Sequence, residues 1–191
     1  MKTLALFDFD KTLYNKDSLL EFTKFSRGHL SFYLGILVLS PYLLGLKLNI
    51  LHNEKVKQKF ISYFFKGLTF DKFITLGHEF ATSKIPKDLN KKHFTAFKNH
   101  IESKHHVYIV TASAPEWIKP WSSSHNVKVI GTKIEFSSGK LTGSFASPNC
   151  YGMEKINRIK ELINLSDFDS IFVYGSGKGD CEMLKLATSK Q

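Results

Sequence analysis

Three short apolar runs, each ending at small polar residues, constrain this chain more than any other feature. They are Leu4 to Phe9, interrupted by Asp8, then Val107-Tyr108-Ile109-Val110 and Ile171-Phe172-Val173-Tyr174, which stop at Thr111-Ala112-Ser113 and Gly175-Ser176-Gly177. Continuous apolar runs of this length read as strands buried on both faces, the hallmark of a parallel sheet covered by helices. Helical spacing over Pro115 to Ser122, Glu154 to Ile163 and Asp180 to Ala187 supplies the covering layers. The expected class is α/β, a Rossmann-like parallel sheet, and ligands of such sheets bind beyond the strand C-termini.

Nearly 100 residues separate the first two strands, far more than a crossover helix requires. An inserted α-helical cap over residues 15–100 accounts for them, leaving 1–14 and 101–191 as the core domain. Within the cap, Asn53 to Gly67 and Phe70 to Ser83 carry apolar residues at helical spacing, with lysines on the remaining face. Later, Thr132 to Phe136 and Leu141 to Phe145 alternate around Ser137-Ser138-Gly139-Lys140 and predict a β-hairpin. The stretch Leu30 to Leu46 has no charged residue, which approaches the roughly 20 apolar residues of a bilayer span. Pro41 lies inside it, so the economical expectation is two short buried helices joined near Ser40-Pro41, with contact to a membrane surface as the first rival and a true span as the second.

With 42% hydrophobic residues and 17 Phe, the chain has the apolar content of a globular core and not of a disordered segment. Its two cysteines, Cys150 and Cys181, form no paired metal motif or disulfide framework. Asp8 ends the first apolar run too early for a signal peptide, and the expected location is cytoplasmic, with a peripheral membrane location as the variant. Net charge of +10 favours anionic partners without choosing among them. Nucleic acid is the least favoured, since charge alone points to it.

Asp8 and Asp10, one residue apart at a strand end, would repel each other unless a cation lay between them. Mg²⁺ takes hard oxygen ligands and bridges to phosphate. A carboxylate can attack phosphorus, and a second can protonate the leaving oxygen and then deprotonate water. At this point the chain resembles the haloacid dehalogenase (HAD) superfamily, specifically its phosphoserine-phosphatase-like branch, subfamily IB, along almost its whole length. Asp8-Phe9-Asp10-Lys11-Thr12-Leu13 matches that family's D-x-D-x-T signature. The resemblance implies Asp8 as nucleophile, Asp10 as general acid/base with its main-chain carbonyl on Mg²⁺, and a magnesium-dependent phosphomonoester hydrolase working through an aspartyl-phosphate. It likewise implies that Thr111 and the neighbouring Ala112 backbone hold phosphoryl oxygens, that Lys155 binds the phosphoryl group, and that Asp180 helps hold the metal.

One motif departs from the family pattern. Tyr174-Gly175-Ser176-Gly177-Lys178-Gly179-Asp180 has Ser176 where the family usually carries a metal-binding Asp, so loss of a charged ligand should weaken magnesium affinity. Asp17 stands where phosphoserine phosphatases place a substrate-reading Glu, yet it also suits the N-cap of the following helix. The expected substrate is a small phosphorylated metabolite. Two rivals stand beside it: a phospholipid-phosphate phosphatase docked on an anionic membrane surface through residues 30–51, and a non-catalytic phospho-ligand-binding relative, motivated by Ser176.

Overall fold

Strand β1 (Thr3–Phe7) is buried at every position, because parallel neighbours flank it on both sides and helices cover both faces. It pairs with β2 (His106–Val110) and with β6 (Ser170–Tyr174), and β3 (Lys128–Ile130) extends the sheet beyond β2, giving the order β3-β2-β1-β6. The computed structural model describes residues 1–188. Alternation along β1 divides the core: Ala5 and Phe7 join one apolar cluster, Leu4 and Leu6 the other. The first cluster takes in Phe97 of α5 (Lys91–Glu102) and Trp121 of α6 (Lys119–Ser123). The second takes in Ile156 and Ile159 of α7 (Met153–Leu162) and Met183 of α8 (Cys181–Leu184). The expected α/β sheet with helices on both faces is therefore present, and β3, too short to read from the sequence, is the added edge strand.

Between β1 and β2 lie α1 (Ser18–Arg27), α2 (His29–Lys47), α3 (Asn53–Phe65) and α4 (Phe70–Ser83), followed by α5. Phe22 of α1 is fully buried, stacked on Trp117 at 4.9 Å and Phe65 at 5.4 Å and edge-on to Phe73 and Phe80. One ring thus joins α1, α3 and α4 to the turn after β2. Trp117 and Trp121 are both buried packing residues. The hairpin of β4 (Ile134–Ser137) and β5 (Lys140–Phe145) turns through Ser138 and Gly139, at φ 48° and 72°. Two successive positive φ angles are what a two-residue turn needs to match strand twist. Backbone bonds Gly67 N–H to Leu141 O (2.8 Å) and Leu141 N–H to Leu68 O (2.9 Å) fasten the hairpin to the α3–α4 connection.

The expectation for residues 30–46 is corrected. They form one continuous helix that passes through Pro41, and most of it is exposed: Leu30, Leu37 and Leu44 are 77%, 70% and 56% accessible. Proline removes an intrahelical donor and leaves the carbonyl four residues back unpaired. Here the Ser40 hydroxyl donates to Leu37 O at 2.7 Å, which satisfies that carbonyl and lets the helix continue. The helix expected over Pro115 to Ser122 is also divided, into a 3₁₀ turn at Pro115–Trp117 and α6. Pro120 tolerates only the first turn of a helix, so α6 has to start anew just before it. The last predicted helix is shorter than its apolar spacing suggests, a 3₁₀ turn at Lys178–Asp180 and the four residues of α8.

Candidate active site

Beyond the C-terminal end of β1 the chain turns sharply, with Lys11 at φ 60° and Tyr14 N–H returning to Phe9 O at 2.9 Å. This loop presents Asp8 and Asp10 to a cleft of about 450 Å³. The cleft is lined by core residues Asp8, Asp10, Lys155, Ser176 and Asp180, and by Asp17, Asn53 and Lys57 from the segment between β1 and β2. Ala112 and Tyr151 complete two of its edges.

Lys155, at the start of α7, is 1% exposed and spends all three of its ammonium hydrogens. It donates to Asp8 Oδ1 at 2.7 Å, Asp180 Oδ1 at 2.6 Å and Val110 O at 2.7 Å. Burial works to depress its pKa, but the charges of Asp8 and Asp180 hold it above the usual lysine value. Burial raises the Asp8 carboxyl against the pull of Lys155, and Asp180 adds to the rise. The second oxygen of Asp8 accepts from the Thr12 hydroxyl at 2.9 Å. Asp180 Oδ2 accepts from the backbone N–H groups of Ser176 (3.0 Å) and Gly177 (2.8 Å). Four segments distant in sequence are therefore tied to one ammonium group or to its partners.

Asp10 is held differently. Its oxygens accept from Ser18 N–H and from the Ser113 hydroxyl, each at 2.5 Å. Behind them runs a relay: Trp117 Nε1–H donates to Ser18 Oγ at 3.0 Å, and Ser18 Oγ–H donates to Ser113 Oγ at 3.1 Å. Burial first, then the negative charges of Asp17 and Asp8, push the Asp10 carboxyl up to about 6 despite those two hydrogen bonds. Near neutral pH a carboxyl of that pKa populates both protonation states, as proton transfer in both directions requires.

The other expected residues fall into place unevenly. Thr111 is fully buried, accepts from Ser113 N–H at 3.1 Å and is not among the residues lining the cleft, whereas Ala112 is. Asp17 does both things its position suggested: it caps α1, accepting from Leu20 N–H at 3.1 Å, and it lines the cleft. Ser176 links the fourth motif to the first, donating to Lys11 O at 3.1 Å and lying 3.1 Å from Thr12 Oγ1. Among the described residues, no three His, Cys, Asp or Glu side chains stand close enough together to hold a metal ion unaided.

Sequence reasoning missed Ser18, Ser113 and Lys57. Lys57 reaches Ala112 O at 3.3 Å, and burial lowers its pKa although Asp10 and Asp17 oppose the change. Its signal was available: Asn53, Lys57 and Phe60 share one helical face with the buried Phe64. The chain's other lysines masked it, since Lys55 and Lys59 on the same helix are solvent-facing.

With this geometry in hand, comparison with known proteins is informative. Residues 5–185 match the family model of haloacid dehalogenase-like hydrolases. Protein CicA of Caulobacter vibrioides is 30% identical over 189 residues, covering 98% of this chain and 84% of its own. A Bordetella pertussis protein of unknown function superposes with a TM-score of 0.84 at 20% identity, covering 98% of this chain and 88% of that one. A substrate-bound phosphoserine phosphatase superposes with a TM-score of 0.62 at 21% identity, covering 98% and 83%. At these identities the solved structures establish a shared fold.

Proposed function

The chain belongs to the haloacid dehalogenase-like hydrolases, and from that premise we propose that it is a phosphatase of the phosphoserine-phosphatase-like branch, hydrolysing small phosphomonoesters through Asp8. The observation that carries this reading is the position of Asp8, buried at the strand end, bonded to Lys155 at 2.7 Å and to Thr12 at 2.9 Å, and open on one side to the cleft.

In the proposed reaction an Asp8 oxygen bonds to phosphorus as the ester P–O bond breaks, and Asp10 gives its proton to the departing alkoxide. Asp10 then takes a proton from water, the water oxygen attacks phosphorus, and inorganic phosphate leaves Asp8 free. Lys155 offsets the charge on Asp8 and on the transferring group. The Ser18–Ser113 relay keeps Asp10 facing the reacting oxygen. The second lysine, Lys57, together with Asn53, extends from α3 over the cleft, suited to reading an anionic or polar part of the substrate.

The donor set fits Mg²⁺ in kind. Asp8, the Asp10 carbonyl and Asp180 are hard oxygen donors, and Asp8 and Asp180 share a single ammonium, that of Lys155. It is poorer in charge than the family pattern, because Ser176 offers a hydroxyl. When bound, the ion would neutralise the carboxylates and polarise a phosphoryl oxygen.

That hydroxyl also motivates a second reading, a relative that binds phosphorylated ligands without turning them over. Hydrolysis of p-nitrophenyl phosphate with and without Mg²⁺ separates the two. The phosphatase reading expects magnesium-dependent turnover in the wild type and loss of at least about a thousandfold in Asp8→Asn. An inert wild type whose activity appears in Ser176→Asp would favour the binding relative.

A further inference from the structure

Helix α2 is apolar on two opposite faces, and only one of them is used by the fold. Phe32, Gly35 and Leu39 pack inward, where a Cβ on Gly35 would lie 2.2 Å from the Phe64 ring. Facing outward at positions 30, 33, 34, 37, 41, 44 and 48 is a row spaced i, i+3, i+4, i+7, which marks a single helical stripe. Leu30, Tyr33, Leu34, Leu37, Leu44 and Leu48 along it are each more than half exposed. Of the fifteen large apolar side chains exposed among the described residues, eight lie between residues 30 and 50. Soluble surfaces scatter such residues singly, and a contiguous row marks an interaction site.

The surrounding charge identifies the partner. Between residues 21 and 66 there are seven Lys or Arg residues and two acids, Glu21 and Glu54; Glu21 pairs with Lys24 at 2.7 Å, and Lys57 lies in the cleft, which leaves the segment basic. Lys24 on α1 lies 5.1 Å from the Phe32 ring and Lys59 on α3 lies 5.4 Å from the Tyr42 ring. These two lysines anchor basic side chains along α2 from both neighbouring helices. Arg27 precedes the helix and Lys47 closes it.

We propose that α2 docks this protein on an anionic lipid bilayer, lying in the interface with its outer stripe among the acyl chains and its basic rim against lipid phosphates. A continuous helix about 28 Å long suits a flat surface, and apolar burial plus a basic rim is the combination by which interfacial helices bind anionic membranes. A symmetric dimer through the same stripe would bring two strongly basic faces together, which like-charge repulsion opposes. Length and mean hydropathy of 1.6 would also suit a span, but the inward face is already committed to α1 and α3. The proposal rests on α2 alone and stands whether or not the cleft is a phosphatase.

Flotation with phosphatidylcholine vesicles, with and without one third phosphatidylglycerol, tests it. The wild type should rise with the anionic vesicles, and binding should weaken as salt is raised from about 0.1 M to about 1 M. The triple substitution Leu34→Ser, Leu37→Ser, Leu44→Ser should lower partitioning at least about a hundredfold. Because all three side chains are exposed, its circular dichroism and melting should match the wild type. Wild type that stays at the bottom with both vesicle types, equal flotation with neutral vesicles, or flotation untouched by the triple substitution would each overturn the proposal. A dimer seen by light scattering, dissolved by the same substitutions and unaccompanied by flotation, would overturn it in favour of a second copy of the chain.

Discussion

Replacing Lys155 with Met removes the ammonium group but keeps most of its volume, and leaves Asp8 and Asp180 buried without their shared partner. The pair geometry sets the magnitude. Hydrogen bonds to charged groups are worth roughly 1.5–3 kcal/mol each, but the three made by Lys155 act as one unit and cannot be summed. Removing one side of a buried ion pair costs about 3–5 kcal/mol, a large part of the roughly 5–15 kcal/mol that holds a domain folded. With a urea slope of about 2 kcal/mol per molar, the midpoint should fall by about 2 M at pH 8.

The loss should depend on pH with a definite sign. Without Lys155, burial and the charge of Asp180 still raise the Asp8 pKa, and only the Thr12 hydrogen bond opposes them. A carboxyl whose folded pKa exceeds its unfolded value binds protons in the folded state, so stability falls as pH climbs through that interval and recovers below it. The variant should therefore be less impaired at pH 5 than at pH 8. Urea unfolding at both pH values, with chelator present so that no cation substitutes for the ammonium, makes the measurement. An unchanged deficit at the two pH values, or a deficit under about 1 kcal/mol at pH 8, would refute the claim that Lys155 neutralises two buried carboxylates.

Ser113→Ala removes one of the two hydrogen bonds to the Asp10 carboxylate, and should lower kcat about tenfold, leave KM nearly unchanged and shift the pH profile of turnover upward. Iodoacetamide should modify Cys181 well before Cys150 at pH 8, read by mass spectrometry, since Cys150 is buried and its thiol is pushed up to about 11 by burial. Gly139→Ala should cost only about 1–2 kcal/mol, because the turn has a positive φ but open space around it. Gly143→Ala should cost about 3–4 kcal/mol in chemical denaturation, because φ is +97° and the new Cβ would sit 2.5 Å from Ser62 Cβ.

Local physics made the frame of the molecule readable. A strand buried on both faces needs an unbroken apolar run, and the three such runs ending at Asp8, Thr111 and Gly175 are neighbouring strands of one parallel sheet, β1 and β2 inside it and β6 at its edge. The hairpin was legible because Ser138-Gly139 can adopt the backbone its turn demands. Residue order carried the acidic loop, Lys155 and Asp180, and the fold brings these together around one ammonium. Harder to read were features whose meaning depends on what lies opposite. Ser113 and Ser18 are unremarkable hydroxyl residues until the turn after β2 faces the start of α1. Lys57 looks like any surface lysine until α3 is laid over the cleft.

What the sequence alone determined was periodicity and order: which segments are strands, where the long insertion falls, and which residue types stand at the strand ends. These are properties of neighbours along the chain. Tertiary structure decided the rest, because burial and electrostatic environment are set by residues distant in sequence. It made Lys155 the shared partner of two carboxylates and pushed Asp10 up to about 6. It also turned residues 30–46 from an expected pair of buried helices into one exposed helix. An all-apolar segment carries no information about which face is covered, and it is the packing of α1 and α3 on one face that leaves the other exposed.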